Sequence, residues 1–338
     1  MLDIRFIREN KDLVQSANDA KNFQVDIDAL LSLDAEIKPL QQQLEQLQAK
    51  RNTASKAVAK ASPEQRNVLF KEVKALKGEL EALTHEVREK KASLQQLMLQ
   101  VAQPAREDVP LGKSDADNVL LRQWGTPRTF SFPLRDHVEL GTRLGIVDIE
   151  GGVKLAGSRS YVFKGDGALL EQAILRYTYD KLLERGYTPM SVPVLVNERA
   201  MEGTGYFPVG KDQAYLVEKD KLALVGTSEV SLCALYGEET LDRSELPLRM
   251  MAQTTCFRRE AGTYGKDTKG LYRVHQFNKI EMVIIAPNDK ALTDQLHDEL
   301  LENAESILQD LELPYQCVYV CTGDLGQGQV RKHDLETW

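Results

Sequence analysis

Residues 257–281 read FRREAGTYGKDTKGLYRVHQFNKIE, and their types and spacing suit a ligand that is both charged and flat. Arg258, Arg259 and Glu260 precede a stretch holding Gly262, Gly265 and Gly270; Arg273, His275, Phe277, Lys279 and Glu281 follow it. Guanidinium forks match phosphate oxygens, and carboxylates accept from amino groups. In a strand, side chains two apart share a face. Arg258 therefore sides with Glu260, while Arg273, His275, Phe277, Lys279 and Glu281 form one face. Val274, Ile280 and Met282 take the other and already provide a core. Phe277 could fill a gap in that core, but among charges it reads better as a stacking platform for a base. A hairpin turning within 261–272 would let the polar set converge.

Two common nucleotide motifs are missing. A P-loop needs GxxxxGK[ST], but Gly265-Lys266 is followed by Asp267, and Glu260 stands where the first glycine belongs. No GxGxxG follows a strand pattern.

The elements that must position these residues can be read from their surroundings. A helix starts at Gly165-Asp166-Gly167, with Leu169, Leu170, Ala173, Ile174, Tyr177, Leu182 and Leu183 as its apolar set, and stops at Gly186. Residues 187–196 read as a strand interrupted by Pro189 and Pro193, which points to an edge or an interface. Strands are predicted within 215–229, 248–260 and 273–286, and a helix over 289–311. The strands need not alternate with helices, so the fold class is α+β, an antiparallel sheet with helices to one side.

Before this globular part lies a long helical text. Apolar or small residues recur at a 3-4 spacing from Leu30 through Ile37, Leu44 and Ala54, then from Leu69 through Leu76, Leu83 and Leu97. Such a repeat marks a coiled-coil seam. Ser62-Pro63 offers an N-cap and a first helical position, so two helices fold back antiparallel as a rod of roughly 50 Å. Its distal half carries Lys50, Arg51, Lys56, Lys60, Arg66, Lys71, Lys74 and Lys77 against Glu64 and Glu72 alone, in a chain of net charge −8. That segregation predicts contact with a polyanion, a folded RNA read by backbone and shape. With few aromatics on the hairpin, base stacking is not expected there. Residues 103–129, rich in Pro, Gly and acids, read as a connection. The domains are thus 1–103 (arm), 104–130 (linker) and 131–338 (globular).

Composition bounds the rest. With 42% hydrophobic and 28% charged residues and no apolar run near ~20, a cytoplasmic protein without membrane contact is expected. The charged N-terminus lacks a signal-peptide h-region. Cys233, Cys256, Cys317 and Cys321 contain no CxxC pair and are expected to be free thiols rather than metal ligands.

The quoted string resembles motif 2 of the class II aminoacyl-tRNA synthetases, in the form typical of seryl-tRNA synthetases. The helix and strand ending at Pro193 resemble motif 1, the dimer-forming element, and GTSE at 226–229 resembles the TxE serine motif. The antiparallel arm resembles the family's grip on the long variable arm of its tRNA. The resemblance implies a homodimer that activates serine with ATP and Mg²⁺ and transfers it to tRNA(Ser) and also to tRNA(Sec). It assigns Arg258 to the α-phosphate and the serine carboxylate, and Glu260 to the adenine amino group. Phe277 would stack on the base and Arg273 would meet the γ-phosphate. Thr227, Glu229 and Glu281 would line the serine pocket. Motif 3, with another arginine and the Mg²⁺ ligands, is expected beyond Trp338, so these residues are expected to hold no metal and to be inactive alone in pyrophosphate exchange. The competing expectation is a non-catalytic tRNA-binding relative that keeps the arm and part of the site.

Overall fold

The computed structural model describes residues 1–262 and 269–338, without the side chains of Ala59, Lys60, Pro63, Glu64 and Val68. Gly265, Lys266 and Asp267, considered above for a P-loop, lie outside these residues. The chain forms two compact units, Met1–Asp117 with Cys321–Arg331, and Asn118–Val320 with Lys332–Trp338.

The first unit is helical: α1 (Ile4–Glu9), α2 (Lys11–Ala20), α3 (Ile27–Lys60) and α4 (Pro63–Met98). Asp26 caps α3 by accepting from the Ala29 N–H at 2.9 Å. At the start of α4, Gln65 accepts from the Ser62 N–H at 3.5 Å. The predicted seam is buried at Leu30, Ile37, Leu44, Ala54, Leu80 and Val87. The helices run antiparallel, because Lys90 near the end of α4 pairs with Glu36 near the start of α3 at 2.7 Å. Pro39 lies inside α3. Burial of Ile37 and Leu44 on either side outweighs the hydrogen bond that Pro39 removes. The base of the arm is a core of Ile7, Val14, Val25, Ile27, Leu30, Met98 and Val101. Residues 321–331 join this unit through Gln327, whose Nε2 donates to Leu99 O at 2.5 Å and Val101 O at 3.0 Å. Lys21 is buried and donates to the carbonyls of Gly326, Gln327 and Gln329. Burial pushes its pKa down to about 8.

In order along the chain, the second unit starts with β1 (Val119–Trp124), α5 (His137–Arg143), β2 (Val147–Asp148), α6 (Ile149–Ala156) and β3 (Val162–Phe163). Next come α7 (Asp166–Glu184), β4 (Thr188–Met190), β5 (Leu195–Asn197), α8 (Glu198–Gly203), β6 (Tyr215–Val217), β7 (Leu222–Leu224) and α9 (Glu229–Leu235). The unit ends with β8 (Leu248–Phe257), β9 (Gln276–Ile285), α10 (Lys290–Asp310), β10 (Tyr315–Tyr319) and β11 (His333–Thr337). The central pair is the hairpin β8–β9, in unbroken antiparallel register from Leu248↔Ile285 to Phe257↔Gln276. β4 joins β8 in parallel, so the sheet is antiparallel apart from that edge strand, where Pro189 sits. On one face of the pair, Met251, Ile280, Met282 and Ile284 pack against Leu182 and Tyr187 and against Leu300 of α10. A second sheet, β5-β7-β6, covers a core with Met201, Phe207, Val225 and Val230. The third, β1-β10-β11, includes residues 119–124, which the sequence assigns to a connecting segment. Their side chains are exposed throughout, so VLLRQW shows no buried alternation to read.

Two carboxylates on α10 fasten it to the sheets. Glu299 receives both Arg249 Nε at 2.8 Å and Arg249 Nη2 at 2.7 Å, and Tyr187 Oη donates to it at 3.0 Å. Glu305 receives Arg122 Nε at 2.9 Å and Nη2 at 2.6 Å, with Tyr315 Oη at 2.9 Å. The Arg122 hydrogen bond holds the buried Glu305 carboxyl below its ordinary range, with Tyr315 assisting. A depressed folded pKa means that this stabilisation is complete above the unfolded value of roughly 4.3 and is lost as pH falls through the folded value. Glu305→Gln is expected to cost about 1–2 kcal/mol at pH 7, the half-exposed Arg122 lowering the usual worth of a charged hydrogen bond. Denaturant midpoints of variant and wild type should draw together only as pH falls below the unfolded value of roughly 4.3 and through the folded one. A difference that stays constant with pH would show that the charge is not what matters.

Candidate active site

The register of β8 and β9 builds the site floor. Phe277, Lys279 and Glu281 stand opposite Cys256, Thr254 and Ala252. Those three β8 residues are small and buried, so the long β9 side chains have room above them. Parity thus separates the faces as the sequence predicts, with Val274 buried and Ile280 and Met282 in the apolar core.

Beyond the strands the hairpin continues. The Arg258 N–H donates to His275 O at 3.0 Å. Arg258 Nε donates to Gly226 O at 3.4 Å, and its guanidinium stands 5.2 Å from the Phe277 ring centroid. Arg273 Nη1 meets Glu260 Oε2 at 3.0 Å. Arg258, Glu260 and Arg273 share the wall of a cavity of about 360 Å³ with Tyr206, Gln213, Gly226 and Phe257. Two guanidiniums and one carboxylate in a half-buried recess suit a polyanion that also carries an amino group.

A second cluster lies on the same sheet face. Thr227 Oγ1 donates to Glu281 Oε2 at 2.5 Å and accepts from Lys279 Nζ at 2.7 Å and from the Glu229 N–H at 3.3 Å. Lys279 is ion-paired with Glu281. Burial raises the Glu229 carboxyl pKa, the charge of Glu281 raises it further, and Lys279 opposes both. Thr227, Lys279 and Glu281 thus form one polar network, and the Glu229 carboxylate is close enough to feel their charges, a set suited to a cation and a hydroxyl. The structure therefore gathers Thr227, Glu229 and Glu281 as one group, and Arg258, Glu260 and Arg273 as another. Phe277 reaches the second group through Arg258.

Several contributors carry no spacing signal. Gln213 grips the chain around Glu260: its carbonyl accepts from the Arg259 N–H at 2.9 Å. Its side chain donates to Ala261 O at 2.9 Å and accepts from the Ala261 N–H at 3.1 Å. Glu260 between them has φ +52°, the left-handed region that costs a non-glycine residue about 1–2 kcal/mol. Arg159 braces the other strand, its carbonyl accepting from the His275 N–H at 3.2 Å and its Nη1 donating to Arg273 O at 3.3 Å. His137 Nε2 accepts from the Leu271 N–H at 3.0 Å, and its ring stands edge-on to Tyr272. A single Gln, Arg or His far away in sequence announces none of this.

Of the basic arm residues, Lys50 and Lys56 are exposed on α3, and Arg66, Lys71, Lys74 and Lys77 are exposed on α4. Arg51 is half-buried and donates to Asn52 Oδ1 at 3.0 Å. The Lys60 side chain lies outside the described residues. Cys256, Cys317 and Cys321 are buried, and Cys233 is half-buried. Among the described residues, no helix is long and apolar enough to cross a membrane.

Residues 1–103 match the seryl-tRNA synthetase N-terminal domain, and residues 215–338 match the tRNA synthetase class II core domain (G, H, P, S and T). The whole chain is 43% identical to the serine–tRNA ligase of Deinococcus radiodurans, covering 80% of that protein. It is 42% identical to serine–tRNA ligase 1 of Streptomyces avermitilis, again covering 80%. Among solved structures, the seryl-tRNA synthetase of Pyrococcus horikoshii complexed with ATP superposes with a TM-score of 0.85 at 32% identity, over all of this chain and 81% of that one. The cytoplasmic serine–tRNA ligase of Naegleria fowleri in complex with AMP gives 0.81 at 26%, over all of this chain and 82% of its own. A helical arm, a hairpin-based site and likeness along the entire chain agree: the protein belongs to the seryl-tRNA synthetase family.

Proposed function

We propose that this protein is a serine–tRNA ligase that forms seryl-adenylate from serine and ATP and passes the seryl group to tRNA(Ser), and to tRNA(Sec) where one is present. The observation that carries the reading is the adjacency of two unlike polar clusters beside the β8–β9 hairpin, joined where Arg258 Nε donates to the carbonyl of Gly226, next to Thr227. One is cationic with a carboxylate (Arg258, Arg273, Glu260) and lines the cavity, and the other joins the Thr227 hydroxyl to the Glu281 carboxylate and to the Glu229 backbone N–H. Serine binds in the second, its ammonium facing the carboxylates and its hydroxyl entering the Thr227–Glu281–Lys279 network. ATP binds in the first, the adenine amino group donating to Glu260 and the base resting near Phe277. Arg258 links the pockets by holding the α-phosphate beside the serine carboxylate, and Arg273 takes the γ-phosphate. A serine carboxylate oxygen attacks the α-phosphorus, and pyrophosphate leaves. No protein nucleophile is needed; the guanidiniums stabilise charge building at phosphorus, and alignment does the rest.

Mg²⁺ belongs to the reaction of this class, where it screens phosphate charge. Among the described residues no group of three or more His, Cys, Asp or Glu side chains could hold a metal ion, so no step here runs through it. The basic face of the arm binds the tRNA backbone. A homodimer fits the exposed Leu169, Leu170, Ile174 and Tyr177 of α7, a row of apolar groups suited to a second copy. A cytoplasmic location goes with this reading.

Serine-dependent ATP–pyrophosphate exchange by the full-length protein tests the proposal, and exchange driven by another amino acid but not by serine would end it. Arg258→Lys is expected to lower kcat/KM for ATP by about 10²-fold or more, because charge is kept but the bidentate fork is lost. Phe277→Ala should raise the ATP KM by roughly 5–100-fold if stacking is the contact. A sharp fall in Tm with an unchanged KM would make Phe277 a packing residue instead.

Gln213 is a positioning residue in this reading. Gln213→Ala should raise the ATP KM several-fold and leave the serine KM in place, since Glu260 loses its brace and the Thr227 cluster does not. Gln213→Glu, which keeps the acceptor for the Ala261 N–H, should recover part of the loss. Equal changes in both KM values would point to general unfolding of the site.

A further inference from the structure

The arm holds two residues that neither the seam nor the charge pattern explains. Phe70 on α4 is 56% exposed, although the seam already takes Leu69 and Val73. Gly78 lies in the interior of the same helix, and a Cβ added there would meet nothing within 4 Å. Glycine is a poor helix former beside alanine, and no close packing accounts for its presence at this point. At 100° per residue, Arg66, Lys77, Phe70, Lys74, Gly78 and Lys71 fall within roughly 140° of arc, a flank beside the seam. Glu81 falls within the same arc, beyond Gly78 along the helix, and pairs with Lys77 at 3.7 Å.

We infer that this flank of α4 is a built RNA-contact surface, in which Phe70 stacks on an unpaired base of the tRNA and Gly78 lets the sugar-phosphate backbone come close. The inference rests on the tRNA-ligase reading above and sharpens it. Cations alone would serve any polyanion. An aromatic ring set among them adds a contact that a phosphate chain cannot use, because stacking needs a base with a free face. A missing side chain one turn from Lys74 lowers the helix surface where a phosphate held by that lysine would run. The sequence, counting few aromatics on the hairpin, predicts no stacking there. One exposed ring at the centre of the basic flank is enough to change that expectation.

The test measures tRNA(Ser) binding by the full-length protein over a range of salt, with Tm for each variant. Phe70→Ala should weaken binding about 5–100-fold while keeping the salt slope, since no phosphate contact is removed. Lys74→Ala, by contrast, should reduce the slope by close to one. Gly78→Ala should weaken binding several-fold while Tm holds or rises, a combination that a merely structural glycine would not give. Heparin, a polyanion without bases, should bind Phe70→Ala as it binds wild type. Phe70→Ala binding tRNA within twofold of wild type, or losing heparin in equal proportion, overturns the inference while leaving the ligase reading intact. Wild-type protein that activates serine but binds no tRNA(Ser) overturns the inference together with the tRNA half of that reading.

Discussion

The pleat of the β8–β9 hairpin is the constraint on which the site depends. One unbroken register fixes which side chains face the apolar core and which face the cavity. A slip of one residue would send Phe277, Lys279 and Glu281 toward α10 and bring Ile280 and Met282 out to solvent. The register is therefore held by the core as much as by the ladder: Met251 and Tyr187 are almost wholly buried on the back face. The small residues of β8 do the complementary work in front. Replacing Ala252 or Cys256 by a larger group would fill the space into which the β9 side chains project.

Electrostatics follows from that geometry. Opposite Thr254, Lys279 is the cation that offsets the charges of Glu281 and Glu229. Without an internal cation, two carboxylates in this position would resist ionising together. The same pocket would then favour a ligand bringing its own positive charge, which an amino acid does. Across the cavity, the pairing of Arg273 with Glu260 keeps two strong charges compensated within reach of Arg258.

Local periodicity made much of this legible. The seam of α3 and α4, the apolar face of β9 and the convergence of Arg258, Glu260 and Arg273 all follow from 3-4 and 2-residue spacing. What escaped was long-range or single-residue. Residues 321–331 leave the sheet between β10 and β11 to fold with the helical unit, and nothing in GQGQ announces partners at Leu99 and Val101. The first helices, α1 and α2, are too short to show a sustained repeat. β1 hides in a stretch of mixed composition because it lacks a buried face. Phe277 illustrates a partial reading: parity placed it on the functional face, but the cation over its ring could not be foreseen from spacing.

The contrast between Glu260 and Glu281 shows how the two pockets are built differently. Glu281 sits mid-strand, where the ladder sets its backbone without strain. Glu260 lies just past the strand, in a conformation that a non-glycine residue adopts at a cost, and Gln213 offsets that cost with hydrogen bonds on both sides. A glycine at position 260 would adopt the turn freely but would carry no carboxylate. The chain keeps the carboxylate and recruits a distant side chain to hold it, which places preorganisation in the backbone at the carboxylate proposed above to meet the adenine amino group. In a reaction without a protein nucleophile, fixed placement of charge is what the protein contributes, and here one glutamine determines where one of those charges stands.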